Sequence, residues 1–263
     1  MTGHEARARP NEPAPARLVN AHGTSPVLLV CEHASNRIPD EFDGLGLDET
    51  TRQSHVAWDP GALAVAEGLS ARLDARLVAS TVSRLVYDCN RPPGAADAML
   101  ARSELFDIPG NVGLSAAERD RRVRTYYQPF RDLLAETIAA GPAQQALVTV
   151  HSFTPVYMGK PRRTELGVLH DADRRMADEM LALAPSHCRM RAARNVPYGP
   201  QNGVTHTLKV HGIANGLPNV MLEIRNDLIA ERTQQEAAAD RLAGLIGQTL
   251  KNLDIATGSA EQA

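Results

Sequence analysis

The stretch VLLVCEHASNRIP, residues 27–39, decides how this chain is read. Val27 to Cys31 form an apolar run with the length and composition of a buried strand. Glu32, His33, Ser35, Asn36 and Arg37 then crowd together just beyond it. A core strand has little use for so many polar groups at its end unless that end borders a site. The pattern recurs along the chain. ALVTVHS (146–152) ends at His151, and NVMLEIR (219–225) ends with Glu223 and Arg225. Ser83–Tyr87 reads as a further strand, running into Asp88, Cys89, Asn90 and Arg91. Arg76–Ser80 and LGVLH (166–170) complete the strand-like runs.

Helical patterns separate these runs. Asp59 is a cap and Pro60 a first-turn residue for a helix reaching Leu73. Ser115 and Glu118 have the capping-box spacing, and that helix is expected to run to about Ala140, where Gly141 and Pro142 end it. Asp171–Ala184 reads as another helix. Leu242, Leu245, Ile246, Leu250 and Leu253 mark one stripe of a long C-terminal helix. Strands alternating with helices imply an α/β fold with a mostly parallel sheet covered on both faces. No internal repeat or long linker divides the chain, so a single domain is expected over 24–254, with a loose arm at 1–23 and a loose tail at 255–263. Parallel strands would bring all four polar clusters to one edge, where open α/β sheets bind their ligands.

Composition narrows the function classes. The 263 residues are 43% hydrophobic and 22% charged, with a formal net charge of −3 and no basic block, which disfavours nucleic acid and anionic membrane surfaces as partners. Cys31, Cys89 and Cys188 are far apart and odd in number, as expected in a reduced compartment. The first twenty residues are polar and proline-rich, unlike the apolar core of a signal peptide, and no run matches a membrane span. A cytoplasmic protein acting on a small molecule is expected, and nothing in the sequence fixes its oligomeric state.

Taken singly, each polar group has an ordinary explanation. His33 or His151 alone reads as a hydrogen-bonded structural histidine. Glu223 and Arg225 could be the solvent face of an edge strand. Asn90 and Arg91 before two prolines could build a turn, and Asp59 could be only a cap. Their coincidence at one edge favours chemistry instead. Imidazole and carboxylate ligands suit a catalytic divalent metal, most simply Zn²⁺. Glu223, near the metal without binding it, is the candidate to move a proton, and arginines nearby suit a carboxylate-bearing substrate. A serine hydrolase is disfavoured because no G-x-S-x-G elbow occurs. A dinucleotide fold is disfavoured because EHASN, not a glycine-rich turn, follows the first strand.

VCEHASNRIP, the WDPGA turn, SRLVYDCNRP, VTVHS, NGVTHT and MLEIRND, in this order over residues 27–227, resemble the N-formylglutamate amidohydrolase family. The resemblance implies a three-layer α/β/α sandwich with a mostly parallel mixed sheet, of the phosphorylase/hydrolase-like kind seen in zinc carboxypeptidases. It implies His33 and His151 as metal ligands, Asn90 and Arg91 as a grip on the substrate carboxylate, and Glu223 as the base. Arg225 has no counterpart there and is put near substrate by its position alone. The zinc-carboxypeptidase pattern has a glutamate ligand three residues after the first histidine, where this chain has Asn36. Asp59 is therefore the expected third ligand, with Glu32 the other candidate, although strand alternation would turn Glu32 away from His33. The implied activity is metal-dependent hydrolysis of an N-acyl amino acid such as N-formylglutamate. Hydrolysis of another N-acyl amino acid or small peptide, and a non-catalytic module that binds a small carboxylate, are the rival readings.

Overall fold

The computed structural model describes residues 13–143 and 145–255. Seven strands form one mixed sheet: β1 (Ala16–Val19), β2 (Val27–Cys31), β3 (Arg76–Ser80), β4 (Ala146–Phe153), β5 (Leu166–Leu169), β6 (Ala192–Arg194) and β7 (Asn219–Arg225). Their spatial order is β1-β3-β2-β4-β7-β5-β6. The four inner strands β3, β2, β4 and β7 run parallel, while β1 pairs antiparallel with β3 and β5 antiparallel with β7. Every residue of β2, β3 and β4 is buried, which explains why these strands read as continuous apolar runs rather than alternating ones.

Helices cover both faces, giving the expected three layers. On one face, Val27, Leu29, Val148 and Leu222 pack against α1 (Ala62–Leu73), α4 (Arg175–His187) and α5 (Arg232–Asn252) through Val65, Leu69, Met180 and Leu242. On the other, Leu28, Val30, Val78 and Leu147 meet Tyr126, Tyr127, Phe130 and Leu134. These come from α2 (Ala116–Arg122), which passes through one π turn at Val123–Tyr127 into α3 (Gln128–Ala139). Ser115 caps α2 by accepting from the Glu118 backbone N–H.

Two expectations change. Ser83–Tyr87 is a turn-rich loop, not a strand. Its apolar residues Leu85, Val86 and Tyr87, with Val82 just before it, are buried against the helical layer, while Ser83 donates to Ala57 O and accepts from Leu85 N. A run of buried side chains on a loop has the same composition as a strand but no ladder partner. The buried Arg122 fixes this loop by donating to Val86 O and Asn111 Oδ1. The fold also starts earlier than residue 24, because β1 lies within the segment expected to be a loose arm. Most of that arm, 1–12, and most of the expected tail, 256–263, lie outside the described residues.

One glycine sets the approach of α1 to the sheet edge. Gly61, directly before α1, has φ +80°, and a Cβ there would lie 2.4 Å from Ile229 O and 2.9 Å from Ile229 Cδ1. This left-handed residue lets the chain turn sharply after Asp59. Gly61→Ala is expected to destabilise the fold by about 1–3 kcal/mol, read as a lower denaturation midpoint in urea. An unchanged midpoint would show that the turn tolerates a side chain.

Candidate active site

The strand ends deliver the polar clusters to a single cleft. His33 follows β2, His151 lies near the end of β4, and Glu223 lies in β7 directly opposite His151 in the parallel ladder. Paired residues in a ladder share a face, so His151 and Glu223 point to the same side of the sheet. Asp59 arrives from the turn before α1, its backbone N–H donating to His33 O at 3.0 Å. His33, Asp59, His151 and Glu223 are each at most 5% exposed, and all line a cleft of about 250 Å³.

Three donor atoms converge there. Asp59 Oδ2 lies 2.9 Å from His151 Nδ1 and 3.3 Å from His33 Nδ1, and the two Nδ1 atoms lie 3.2 Å apart. In a tetrahedral zinc site with bonds of about 2.0–2.1 Å, donor atoms stand about 3.3–3.4 Å apart. The triangle has the scale of a metal-binding face. The other ring nitrogens explain why these atoms face inward. His33 Nε2 lies 2.7 Å from Asp88 Oδ1, and His151 Nε2 lies 3.0 Å from Glu32 Oε2, an ion-pair contact set off the hydrogen-bond line. Asp88 and Glu32 can each accept from a proton on Nε2, while Asp59 draws positive charge, a proton or a metal ion, to both Nδ1 atoms. Two ring nitrogens and a carboxylate oxygen this close need positive charge among them, as shared protons or as a metal ion. The residues fit a divalent metal.

Electrostatics agree. Burial and Arg84 push the His33 pKa down, yet Asp88 and Asp59 outweigh them and raise it. Burial likewise opposes a rise at His151, but Glu32 and Asp59 lift it well above the ordinary histidine range. Burial works against ionisation of Asp59, which the two imidazoles nevertheless hold far below the usual carboxylate range. The cluster favours added positive charge between its carboxylates. Burial pushes the Glu223 carboxyl up to about 7, partly countered by the His151 charge, and its Oε2 has no hydrogen-bond partner.

The remaining expected residues divide. Arg91 lines the cleft, with Nε held by Asp97 at 2.6 Å. Asn90 also lines it, but its amide is tied to the 204–207 segment, donating to Val204 O and accepting from Thr207 N. Arg225 stands outside the cleft lining, its guanidinium committed to Asp227 and to Arg162 O. Asn36 turns away to Arg52 O and Gln53. Glu32 faces His151 Nε2 rather than the Nδ1 triangle. Sequence reasoning placed Asp88 in a strand-end polar cluster without giving it a role, and it missed Arg84. Arg84 lines the cleft and donates from Nη2 to Asp88 Oδ2 at 3.0 Å and from Nη1 to Asp59 Oδ1 at 3.4 Å. Their i, i+4 spacing was a signal, hidden by reading the segment as a strand.

A model of the N-formylglutamate amidohydrolase family matches residues 25–230. The chain belongs to the N-formylglutamate amidohydrolase family. A crystal structure of a gene product from Agrobacterium tumefaciens is similar to it, at 50% identity and a TM-score of 0.90, covering 92% of this chain and 97% of that one. The N-formylglutamate amidohydrolase from Ralstonia eutropha JMP134 shares the fold at 20% identity and a TM-score of 0.61, again covering 92% of this chain and 97% of that one. No curated protein matches the chain. This member of the N-formylglutamate amidohydrolase family has three buried free cysteines among its described residues, and none of their helices is long and apolar enough to cross a membrane.

Behind the site, a second π turn at Leu208–Gly212 carries the buried His211, and Tyr127 OH meets His206 Nε2 at 2.8 Å. Burial, aided by His206, pushes the His211 pKa down to about 4. A depressed histidine stabilises the fold above its unfolded pKa of about 6.5 and loses that contribution as pH falls toward its folded value. His211→Gln is therefore expected to flatten the pH dependence of stability between about pH 6.5 and 4. Parallel urea titrations of both proteins check this, and curves that stay parallel in pH would contradict it.

Proposed function

We propose that this chain is a metal-dependent amidohydrolase that cleaves the amide bond of an N-acyl amino acid, with N-formylglutamate as the reference substrate. The observation that carries the reading is the convergence of His33 Nδ1, His151 Nδ1 and Asp59 Oδ2 beside an unpartnered Glu223 carboxylate in one cleft. Membership in an amidohydrolase family supports the reaction class.

His33, Asp59 and His151 would hold the ion, which when bound supplies Lewis acidity toward the scissile carbonyl. The chain's own residues do the rest. With the ion in place the ring protons would lie on Nε2, toward Asp88 and Glu32, leaving both Nδ1 atoms aimed into the site. Glu223, its pKa raised to about 7 by burial, takes a proton from water and returns one to the departing amine nitrogen. Water and amide thus become a carboxylic acid and a free amine. Arg84, fixed between Asp59 and Asp88, gives the cleft a stationary positive charge where negative charge grows on the carbonyl oxygen. Arg91 binds the substrate carboxylate.

Glu223→Gln keeps the size of the side chain but cannot accept the proton. It should lower kcat by about 10²–10⁴-fold while metal content and substrate affinity stay near wild type. Near-normal turnover would remove Glu223 as the base, and loss of the metal would make it a ligand. In a binding module without catalysis the wild type would turn nothing over, and any effect of the variant would fall on ligand affinity.

Arg91→Ala should cost roughly ten- to a hundredfold in kcat/KM. The loss should shrink for a substrate with an amidated α-carboxylate. Equal losses on both substrates would leave Arg91 a structural role only.

A further inference from the structure

The cleft lining carries two kinds of group, arginines and aromatic rings. The segment after β3 contributes Arg84, Arg91 and Arg102. The segments after β4 and β6 contribute three rings, Phe153 at the end of β4, Tyr157 on the following hairpin, and Tyr198 beyond β6, the last within electrostatic reach of Arg84. These three rings are held as a unit. The Arg162 guanidinium carbon lies 4.5 Å from the Tyr157 centroid, 5.0 Å from that of Tyr198 and 5.5 Å from that of Phe153. Arg162 also donates to Tyr198 OH at 3.1 Å and to Thr154 O at 3.3 Å. Arg162 does not itself line the cleft, so it braces the rings from behind. The wall is prepared, not left to the accident of a loose hairpin.

The surface continues the pattern. Among the described residues, every exposed large hydrophobic side chain falls in 100–112, in 156–158 or at Val196. Leu100 and Tyr157 line the cleft itself, and Val196 lies two residues before Tyr198. Exposed apolar side chains such as Leu100 and Tyr157 in the lining of a polar site offer contact to an apolar ligand group.

Resting on the proposed function, the direction of the substrate follows. With its carboxylate paired to Arg91, the rings are the apolar lining left for the group across the scissile carbonyl. We propose that Phe153, Tyr157 and Tyr198, braced by Arg162, form an acyl-group subsite selecting N-acyl amino acids whose acyl part is aromatic or bulky and apolar, over N-formyl ones. A formyl group, with a lone hydrogen on its carbonyl, would leave this wall unused.

Binding to Glu223→Gln, measured by calorimetry, separates the subsite from turnover. N-phenylacetyl and N-formyl conjugates of L-glutamate and of L-leucine are the probes. The phenylacetyl member of a pair should bind about tenfold or more tightly. Adding Tyr157→Ala should erase that advantage, and adding Tyr157→Phe should retain it. Formyl conjugates binding as well or better, a Tyr157→Ala loss equal for both acyl groups, or no binding of either phenylacetyl conjugate would overturn the subsite. If the phenylacetyl preference holds but wild-type protein hydrolyses none of the four, the subsite stands and the hydrolase reading fails.

Discussion

Two imidazole nitrogens and one carboxylate oxygen, all buried and mutually within about 3.3 Å, are the constraint around which this molecule is arranged. Like lone pairs do not gather in a low-dielectric interior without a reason. The parallel sheet makes the gathering possible. It carries β2 and β4 side by side, so that His33 and His151 emerge together, and it sets Glu223 beside His151 in register. The Asp59 turn closes the triangle from above, made possible by the left-handed Gly61. Gly167 serves the same end on the far side of β7. A Cβ there would lie 3.1 Å from Glu223 Cβ and 2.3 Å from Val196 O, so its absence lets the segment leading to Tyr198 approach the carboxylate.

Around the triangle, charge is layered. Asp88 and Glu32 sit behind the two histidines, and Arg84 ties Asp88 to Asp59. Buried carboxylates in this number are costly without matching positive charge, which is why the same cluster both fits a metal and holds its histidines so strongly basic. Glu223 differs from the other carboxylates. With no hydrogen bond to its Oε2, burial dominates and its proton becomes exchangeable near neutrality.

The sheet and the strand-end residues were legible because their signals are local. An apolar run ending in a histidine or glutamate can be read from a handful of neighbouring letters, and Ser115 and the α5 stripe are equally local. Asp59 was selected because a short carboxylate at a helix start can turn into the crevice, and Asp59 Oδ2 does lie against both imidazoles. What escaped depends on contacts between distant segments. The apolar Ser83–Tyr87 run finds helical neighbours instead of strand partners, and this masked Arg84 and the role of Asp88. The same holds for the aromatic wall, whose rings are separated in sequence and united only by Arg162. Arg225 was misleading for the opposite reason. It has the right parity beside Glu223, but Asp227, two residues on, captures it.

The most direct test of the central claim is anomalous diffraction at the zinc absorption edge from crystals of protein purified without chelators. The account predicts one strong anomalous peak within bonding distance of His33 Nδ1, His151 Nδ1 and Asp59 Oδ2, with both Nε2 atoms still facing Asp88 and Glu32. A peak bonded through Nε2, a peak at another place in the molecule, or no peak at any transition-metal edge would contradict it.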